Sequence, residues 1–309
     1  MNDQDSRIRL VVITGPTAVG KTGIAIDLAS RFGGEIISAD SMQVYRYMNI
    51  GTAKPDPDAR RRAPHHLIDV VDPDEEFNAA LFMKEAGKII RDLDRKGKNI
   101  FVVGGTGLYI RALLGGLFEG PGSDRERRAA WMRIAESFGR EYLFELLREQ
   151  DYEASRKIHP HDTARVIRAL EIVASTGESI ITKQREHDFG NRSYDSFSVG
   201  LRIDREELYG RIDRRVDEMI RDGLVSEVEA LLDRGYEESV KPLQSMCYRH
   251  VVAYLKGRID LDESVRLIKR DTRHYAKRQL TWFKKDESIR WADPGQRDEI
   301  AGEIETFLH

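Results

Sequence analysis

The stretch Gly15-Pro16-Thr17-Ala18-Val19-Gly20-Lys21-Thr22 decides how the first part of this chain is expected to fold. It matches the phosphate-binding loop G-x-x-x-x-G-K-[ST] at every fixed position, and it lies between the apolar run 8–13 and the helical pattern 24–32. In such a loop, backbone N–H groups turn toward one point, and the helix N-terminus and the lysine add positive charge there. The stretch therefore predicts a site for a polyphosphate or diphosphate, with the Thr22 hydroxyl on a Mg²⁺ ion. The loop alone leaves open which phosphate compound binds and whether a phosphoryl group moves.

Strand and helix patterns alternate around this loop in the first 120 residues. The apolar runs predict strands at 10–14, 35–38, 67–71 and 99–103, with helices at 21–32 and 79–96 between them. Continuous apolar strands separated by helices indicate a parallel sheet that is covered on both faces, and ligands gather at the carboxyl ends of its strands. Three strand ends carry glycine or polar residues: the phosphate loop, Asp40-Ser41 and Gly104-Gly105-Thr106-Gly107. We expect these three ends to share one crevice.

The character of the sequence changes near residue 121. Residues 123–184 read as short charged helices, and Gly120-Pro121-Gly122 and Gly190-Asn191 are typical of domain borders. Strand character resumes at 197–203, and further helices are predicted at 205–222, 226–234, 261–283 and 296–308, with a short strand at 289–291. The sequence therefore predicts an α/β fold: a P-loop NTPase-like parallel sheet flanked by helices in residues 1–120 and 197–309. Residues 121–196 are expected to form a mostly α-helical insertion domain.

Composition narrows the class of protein. The chain has 309 residues, of which 40% are hydrophobic and 33% charged, so it can bury a substantial core. No apolar run approaches the length of about 18 residues that a membrane-spanning helix needs, and the start is not basic and then apolar as in a secretion signal. We therefore expect a cytoplasmic protein without a membrane partner. The single cysteine, Cys247, excludes an internal disulfide and argues against a zinc site.

Positive charge is concentrated near the C-terminus, although the net charge of the chain is −3. Between Arg266 and Lys285 there are eight basic residues and one acidic residue, Asp271, and aromatic side chains lie among them. A helix here would place Arg266, Arg270, Arg273 and Lys277 in one stripe. Basic residues interleaved with aromatics suit a nucleic-acid surface, whereas a solvated face over buried aromatics is the alternative.

Three residues near the predicted crevice could take part in chemistry. Asp40 could be a general base, an aspartate that holds Mg²⁺ through water, or a helix cap. Thr106 could donate a hydrogen bond to an oxygen that gains charge as a bond breaks, or it could cap the following helix. Arg211, near the start of the helix at 205–222, could reach a diphosphate or could form a surface ion pair.

Together, these motifs resemble those of the tRNA dimethylallyltransferases, also called tRNA isopentenyltransferases. The resemblance extends over nearly the whole chain, and its most specific segments are Asp40–Tyr45 (DSMQVY), Gly104–Tyr109 (GGTGLY) and Ala276–Phe283 (AKRQLTWF). The other matching segments are Gly15–Thr22, the rest of Ile37–Pro55 and Val103–Leu114, His65–Pro73, His159–Ile172 and Arg211–Val228.

The resemblance implies transfer of a dimethylallyl group from dimethylallyl diphosphate to the exocyclic amine of an adenosine next to the anticodon in tRNA. It implies that Gly15–Thr22 holds the diphosphate with Mg²⁺ and that no phosphoryl group moves. It further implies that Asp40 accepts a proton from the amine and that Thr106 contacts the bridging oxygen of the diphosphate. Lys21 and Arg211 would neutralise that leaving group.

The resemblance also implies the residues that bind tRNA. The target base would be flipped out of the anticodon loop into a pocket formed by Asp40, Ser41, Met42 and Gln43, beside Thr106. The insertion would grip the anticodon stem-loop, and the C-terminal helices would complete a salt-dependent tRNA surface for a monomeric enzyme. The remaining contacts implied are Arg128, Arg165 and Arg168 in the insertion, and Arg249, Lys277, Arg278, Gln279 and Trp282 in the C-terminal part.

Two positions depart from the pattern of the family. Cys247 stands where glycine is usual, so strain is expected if that position has positive φ, which would put the tRNA contact of Arg249 in doubt. His161 stands where asparagine is usual, and we expect a turn or cap to tolerate it. The chain ends without the zinc-finger extension of eukaryotic relatives, which favours a bacterial-type enzyme.

Three other functions remain open from the sequence. An adenylate dimethylallyltransferase would share the core motifs but would have less need of the insertion. A P-loop small-molecule kinase would use Arg125, Arg127 and Arg128 as a lid over ATP. An RNA-binding protein with a vestigial phosphate loop is disfavoured, because Lys21, Thr22, Asp40 and Thr106 are all present.

Overall fold

The computed structural model describes residues 7–118, 120, 122, 125–187 and 193–309. Within these ranges the strands are β1 (Arg9–Thr14), β2 (Glu35–Ser38), β3 (His65–His66), β4 (Ile100–Gly104), β5 (Asp195–Leu201) and β6 (Arg290–Ala292). The helices are α1 (Lys21–Arg31), α2 (Pro57–Arg62), α3 (Ala79–Arg95), α4 (Gly107–Gly115), α5 (Arg125–Phe138), α6 (Arg140–Gln150), α7 (Tyr152–Ser155), α8 (Thr163–Thr176), α9 (Ile180–His187), α10 (Arg205–Arg221), α11 (Leu224–Asp233), α12 (Met246–Leu255), α13 (Leu261–Phe283) and α14 (Arg297–Leu308). Pro121 and Gly190-Asn191, which the sequence marks as borders, lie outside the described residues.

The six strands form one parallel sheet in the order β3-β2-β4-β1-β5-β6. The side chains of β1 alternate between two apolar clusters, with Leu10 and Val12 in one and Val11 and Ile13 in the other. All four are buried, which is why this strand is a continuous apolar run instead of an alternating one. The predicted α/β class with a parallel sheet is confirmed.

One predicted strand is wrong. The apolar pattern at Leu67–Val71 suggested a strand, but β3 consists of His65 and His66, which pair with Ile36 and Ile37. The backbone leaves the extended region immediately afterwards, because Leu67 and Asp69 have φ angles of +61° and +57°. Val71 returns to make only an isolated bridge with Tyr45.

The chain forms two compact units. One comprises Met1–Leu114 with Ser193–His309, and the other Gly115–Arg192. The first contains the sheet and its two apolar clusters. The second has a small core of its own, in which Leu143 and Leu147 of α6 pack with Val166, Ile167 and Leu170 of α8. Among the described residues, no helix is both long and apolar enough to cross a membrane.

Candidate active site

Three neighbouring strands bring the polar strand ends together. Because β2, β4 and β1 are adjacent and parallel, the segments that follow them leave the same edge of the sheet. A cavity of about 640 Å³ opens there, lined by residues of the phosphate loop, by Asp40–Gln43 and by Gly104 and Gly105. The helices α10, α12 and α13 supply the remaining walls through Arg211, Arg215, Arg249 and Tyr275.

The phosphate loop adopts a conformation that depends on two glycines. Gly15 and Gly20 have φ angles of +139° and +102°, and a Cβ atom at Gly15 would lie 2.6 Å from the backbone oxygen of Leu201. The N–H of Thr17 donates to a side chain of α13, whereas the N–H groups of residues 18–22 have no acceptor among the described residues. Those five N–H groups precede and begin α1, where partial positive charge attracts an anion.

Lys21 is folded over this loop. Its ammonium donates to the backbone oxygens of Gly15 at 2.9 Å and Pro16 at 2.7 Å. Burial lowers the pKa of Lys21 to about 7; the Asp40 carboxylate opposes this shift, and the positive charge of Arg215 adds to it. A diphosphate would favour the charged form of Lys21, so its binding above pH 7 would be accompanied by proton uptake.

Asp40 follows β2 and lies at the cavity wall. Its Oδ1 accepts hydrogen bonds from the backbone N–H groups of Met42 at 2.8 Å and Gln43 at 3.3 Å. Its Oδ2 has no hydrogen-bond partner among the described residues, and the cavity is where that oxygen can meet a substrate. No helix starts here, so Asp40 is not a helix cap; its Oδ1 closes the turn 41–44, which orients the carboxylate and leaves one oxygen available for proton transfer.

Thr106 has two functions in one residue. The backbone oxygen of Thr106 accepts from the N–H of Ile110, so Thr106 directly precedes α4 and closes its first turn. Its hydroxyl does not cap that helix; it accepts from the N–H of Ser41 at 3.0 Å and lies 3.4 Å from the Ser41 hydroxyl. Thr106 therefore joins the ends of β4 and β2 beside Asp40.

The three glycines around Thr106 each make room for a different group. A Cβ atom at Gly104 would lie 2.1 Å from the backbone oxygen of Ala39, and one at Gly105 would lie 2.2 Å from Nε2 of Gln279. A Cβ atom at Gly107 would lie 2.1 Å from the indole nitrogen of Trp282. The glycines of this segment are therefore required mainly by the packing of Ala39, after β2, and of α13.

Gln279 does not present a free amide to a nucleic acid. It is only 6% exposed; its Oε1 accepts from the N–H of Thr17 at 2.8 Å, and its Nε2 donates to the backbone oxygen of Gly105 at 2.8 Å. The sequence placed it among the tRNA contacts, which stays a prediction; in the structure both halves of the amide are occupied within the protein, and the residue lines the cavity.

Two cavity residues were missed by the sequence analysis. Tyr275 lies one turn before Gln279 on α13; burial, reinforced by the charge of Asp40, raises its pKa to about 12, although hydrogen bonds with Thr106 and Gln279 oppose this. Arg215 lies one turn after Arg211 on α10, and burial lowers its pKa. The guanidinium of Arg215 has no ion pair or hydrogen bond among the described residues. Each lies four positions, or one helical turn, from a residue already predicted to belong to the site, and this spacing could have identified both.

Arg211 reaches the phosphate loop as predicted from the sequence, and it also makes the alternative ion pair. Its Nη1 donates to the backbone oxygen of Val19 at 3.3 Å, and its Nη2 lies 2.6 Å from Glu207 on the same helix. Glu207 thus holds the guanidinium at the mouth of the loop.

The proposed base pocket is held by its own hydrogen bonds. Gln43 accepts from the Ser38 hydroxyl at 3.0 Å, and its Nε2 donates to the backbone oxygens of Thr52 and Ala53, each at 3.3 Å. Ser41 uses its N–H on Thr106, and Met42 lines the cavity. Ser41, Met42 and Gln43 therefore line the same cavity as Asp40, and the amide of Gln43 is fixed by hydrogen bonds within the protein.

Cys247 is not strained. It lies in the first turn of α12 and is not among the described residues with positive φ, so the condition under which strain was expected is not met. Burial raises the pKa of its thiol to about 11, with Arg215 opposing the shift. Arg249, two residues later, forms an ion pair with Asp271 and lines the cavity. His161 lies in the turn before α8, outside the cavity, as expected.

The basic segment of α13 is less open than its sequence suggests. Arg266, Lys269, Arg270 and Arg273 pair with Glu263, Asp217, Asp271 and Asp213, respectively. Two of these carboxylates come from α10, which the local count of charges could not include. Among the described residues, Lys277, Lys284 and Lys285 form no ion pair, and Arg278 lies over the ring of Tyr275. The side chain of Trp282 is 37% exposed beside them.

The arginines expected to grip tRNA in the insertion are oriented by acidic residues of the same unit. Arg128 and Arg168 both pair with the buried Glu171, at 3.0 Å and 3.3 Å. Arg165 pairs with Asp162, which caps α8. The side chain of Arg125, named in the kinase alternative, lies outside the described part of the chain.

The donor atoms at the cavity suit a hard metal ion that is coordinated mostly by oxygens of a bound phosphate compound. Thr22 is exposed at the start of α1, and both Thr22 and Asp40 line the cavity. The described residues contain no cluster of three or more His, Cys, Asp or Glu side chains that could hold a metal by themselves. A divalent metal fits this set of donors when phosphate oxygens supply its other ligands.

A phosphate loop, a carboxylate and a hydroxyl at three adjacent strand ends define a P-loop α/β enzyme. The model of the IPP transferase family matches residues 43–286, and that of isopentenyl transferase matches residues 8–63. The chain therefore belongs to the IPP transferase family, and it is a prenyltransferase.

Named relatives and solved structures agree with this family. A tRNA dimethylallyltransferase 2 of Syntrophus aciditrophicus is 55% identical over 300 residues, which cover 97% of this chain and 96% of that protein. A tRNA dimethylallyltransferase of Geobacter metallireducens is 47% identical over 307 residues, with 99% of both chains covered. The crystal structure of the full-length tRNA isopentenylpyrophosphate transferase from Bacillus halodurans is 40% identical with a TM-score of 0.73, covering 98% of this chain and 97% of that one. A eukaryotic dimethylallyltransferase acting on tRNA is 29% identical with a TM-score of 0.75, covering 92% and 73%.

Proposed function

We propose that this protein transfers a dimethylallyl group from dimethylallyl diphosphate to the exocyclic N6 amine of the adenosine on the 3′ side of the anticodon in tRNA, releasing diphosphate. The observation that carries the proposal is the convergence in one cavity of a phosphate loop, two arginines and a carboxylate with one available oxygen. The relatives named above support tRNA as the acceptor.

The diphosphate is held by the loop and neutralised by cations. The N–H groups of residues 18–22 and Lys21 bind its oxygens, Arg211 is held at the loop by Val19, and Arg215 faces the same cavity. A Mg²⁺ ion would be held by Thr22 together with the phosphate oxygens, and it would stabilise negative charge on the leaving group. Charge on the bridging oxygen grows as the bond to carbon breaks, so fixed cations and the Thr106 hydroxyl lower the energy of the transition state.

The acceptor amine needs a base. Its nitrogen attacks C1 of the dimethylallyl group, the C1–O bond breaks with its electron pair going to diphosphate, and the amine loses a proton. Asp40 is the carboxylate placed to accept that proton, because its Oδ1 is fixed by two N–H groups while Oδ2 remains available. The target adenine reaches this position by leaving the stack of the anticodon loop, and the segment 41–43 receives it.

Basic residues in each of the two units are proposed to contact tRNA. Lys277 and Arg278 on α13, with the half-exposed Trp282, supply phosphate and stacking contacts beside the cavity. Arg128, Arg165, Arg168 and Arg249 supply further positive charge. The enzyme acts as a cytoplasmic monomer on one tRNA, and one chain contains every residue of the cavity described above.

One assay tests the reaction and its acceptor. Dimethylallyl diphosphate and Mg²⁺ are supplied with unmodified tRNA or with AMP, and with ATP in a parallel reaction, and products are identified by mass spectrometry. We expect a dimethylallyl mass gain on tRNA alone. A gain on AMP without one on tRNA would replace the proposal with an adenylate dimethylallyltransferase, and consumption of ATP without prenyl transfer would indicate a kinase.

The role of Asp40 is tested with Asp40→Asn. Asparagine keeps an oxygen that can accept from Met42 and Gln43, so the local fold is preserved, but it cannot take up the proton. We expect turnover to fall by about 10²- to 10⁴-fold, while tRNA binding stays within twofold. Equal turnover of Asp40→Asn and the unmodified enzyme would remove Asp40 from the base role.

A further inference from the structure

Gln279 connects two loops that leave adjacent strands. The phosphate loop follows β1 and the segment 104–107 follows β4, and the last paired residues of these strands are Thr14 and Gly104. Beyond that pair, no strand hydrogen bond holds the loops together. Gln279 spans them from α13, because Thr17 N–H donates to its Oε1 and its Nε2 donates to the Gly105 oxygen.

We propose that Gln279 is a positioning residue that sets the separation between the loop holding the diphosphate and the loop carrying Thr106. This inference rests on the proposed function, in which Thr106 must lie against the bridging oxygen while residues 18–22 hold the phosphates. A shift of one loop against the other moves the hydroxyl off that oxygen without removing any group that binds substrate.

The connection needs a side chain that accepts from an N–H at one end and donates to a carbonyl oxygen at the other, which an amide does without a change of protonation. An ionised glutamate could satisfy only the first contact. The bond at Gly105 leaves no space for a side chain there, since a Cβ atom would lie 2.2 Å from Nε2. Burial to 6% exposure keeps water from replacing either bond.

A neighbouring side chain of α13 supports the same connection. Trp282 lies one turn after Gln279 on α13, and its indole packs against Gly107. Gln279 and Trp282 therefore both hold the segment 105–107 in place. Of the two, only Gln279 is hydrogen-bonded to the phosphate loop as well.

The test compares Gln279→Met, which has nearly the same length and shape but no hydrogen bonds, with Gln296→Met. Gln296 is the matched control, because its amide also accepts from an N–H and donates to an oxygen, but at the exposed start of α14. Displacing a reacting group by about 1 Å can cost about 10²-fold in rate. We expect kcat of Gln279→Met to fall about 10- to 100-fold, with KM for dimethylallyl diphosphate and for tRNA changing by less than about threefold.

A double variant separates positioning from general loss of structure. If Gln279 acts through Thr106, then Gln279→Met in a Thr106→Val background should lower kcat by less than about threefold further. Multiplicative effects of the two changes, or a kcat of Gln279→Met within twofold of the unmodified enzyme, would overturn the inference.

A measurement that needs no turnover distinguishes this inference from the proposed function. Hydrogen–deuterium exchange of peptides covering residues 15–17 and 104–107 should be about fivefold faster in Gln279→Met, as expected for loss of one hydrogen bond, and unchanged in Gln296→Met. If the unmodified enzyme fails to prenylate tRNA, the proposed function fails while this exchange result still tests the connection. Unchanged exchange in Gln279→Met would refute the connection whatever the activity.

Discussion

Glu227 on α11 should be one of the most costly single carboxylates to neutralise in this protein. Its Oε2 accepts from the N–H groups of Asn49 and Ile50, both at 2.7 Å, and its Oε1 accepts from Gly51 at 3.1 Å and from the Tyr248 hydroxyl at 2.7 Å. Burial and this carboxylate hold the pKa of Tyr248 well above its usual value, so the phenol remains a donor. Four donors thus converge on a single side chain.

The cost of Glu227→Gln follows from these contacts. Glutamine keeps one oxygen for Asn49 and Ile50, but its NH₂ group faces the N–H of Gly51, which loses its acceptor, and the Tyr248 hydroxyl, which has to accept instead of donating. A stranded N–H costs about 1–3 kcal/mol, and two charge-assisted bonds become neutral ones, so we expect about 3 kcal/mol in total. For a unit of this size, that loss corresponds to a decrease in Tm of about 6–12 °C.

Thermal unfolding followed by circular dichroism measures this effect, and Glu229→Gln is the matched control. Glu229 is exposed on the same helix and makes no hydrogen bond among the described residues. The segment 51–53 lines the cavity, so KM for tRNA should also rise in Glu227→Gln. A Tm decrease below about 2 °C, or an equal decrease in Glu229→Gln, would refute the reasoning, because about 1 kcal/mol already shifts Tm by 2–4 °C.

Three further predictions concern the cavity and its surroundings. Arg215→Met should weaken binding of inorganic diphosphate by about 10- to 100-fold in calorimetry, because one charge-assisted contact is lost, whereas the exposed Arg214→Met should not. Lys277→Ala should lower the slope of log K against log salt for tRNA by about 1. Arg266→Ala should change this slope less, because it removes a cation that is already paired with Glu263. Equal slopes for the two variants would contradict the assignment of free and paired cations. Cys247 is the single cysteine, and the pKa of its thiol is raised to about 11. At pH 8 this thiol should therefore react with iodoacetamide about 10²-fold more slowly than a cysteine with the ordinary pKa of 9.0. Modification at the ordinary rate would show that its burial is incomplete.

Local sequence signals were sufficient to predict most helices and strands and several of the residues at the cavity. The helix α13 has the predicted bounds, because Asp260 caps its start and the apolar residues recur at helical spacing. Asp40, Thr106, Lys21 and Arg211 were predictable because each lies at the end of a predicted strand or at the start of a predicted helix. The meeting of the segments that follow β1, β2 and β4 at one edge follows from the parallel order of the sheet, whereas Arg211 reaches that edge from α10.

Contacts between distant segments were not predictable in the same way. Gln279 is separated from Thr17 by 262 positions, and nothing near either residue indicates their hydrogen bond. The pairing of Lys269 and Arg273 with Asp217 and Asp213 depends on how α10 packs against α13. The misplaced third strand has a different cause, because backbone angles at Leu67 and Asp69 override the β propensity of their neighbours.

The three glycines around Thr106 differ in how a substitution there could be compensated. At Gly104 the obstacle is the backbone oxygen of Ala39, which no second substitution can remove. At Gly107 the obstacle is the side chain of Trp282, so Gly107→Ala could in principle be rescued by a smaller residue at position 282. At Gly105 rescue would require loss of the Gln279 amide and therefore of the link between the two loops. Substitutions at the neighbouring positions of this short motif would therefore need different compensating substitutions in evolution.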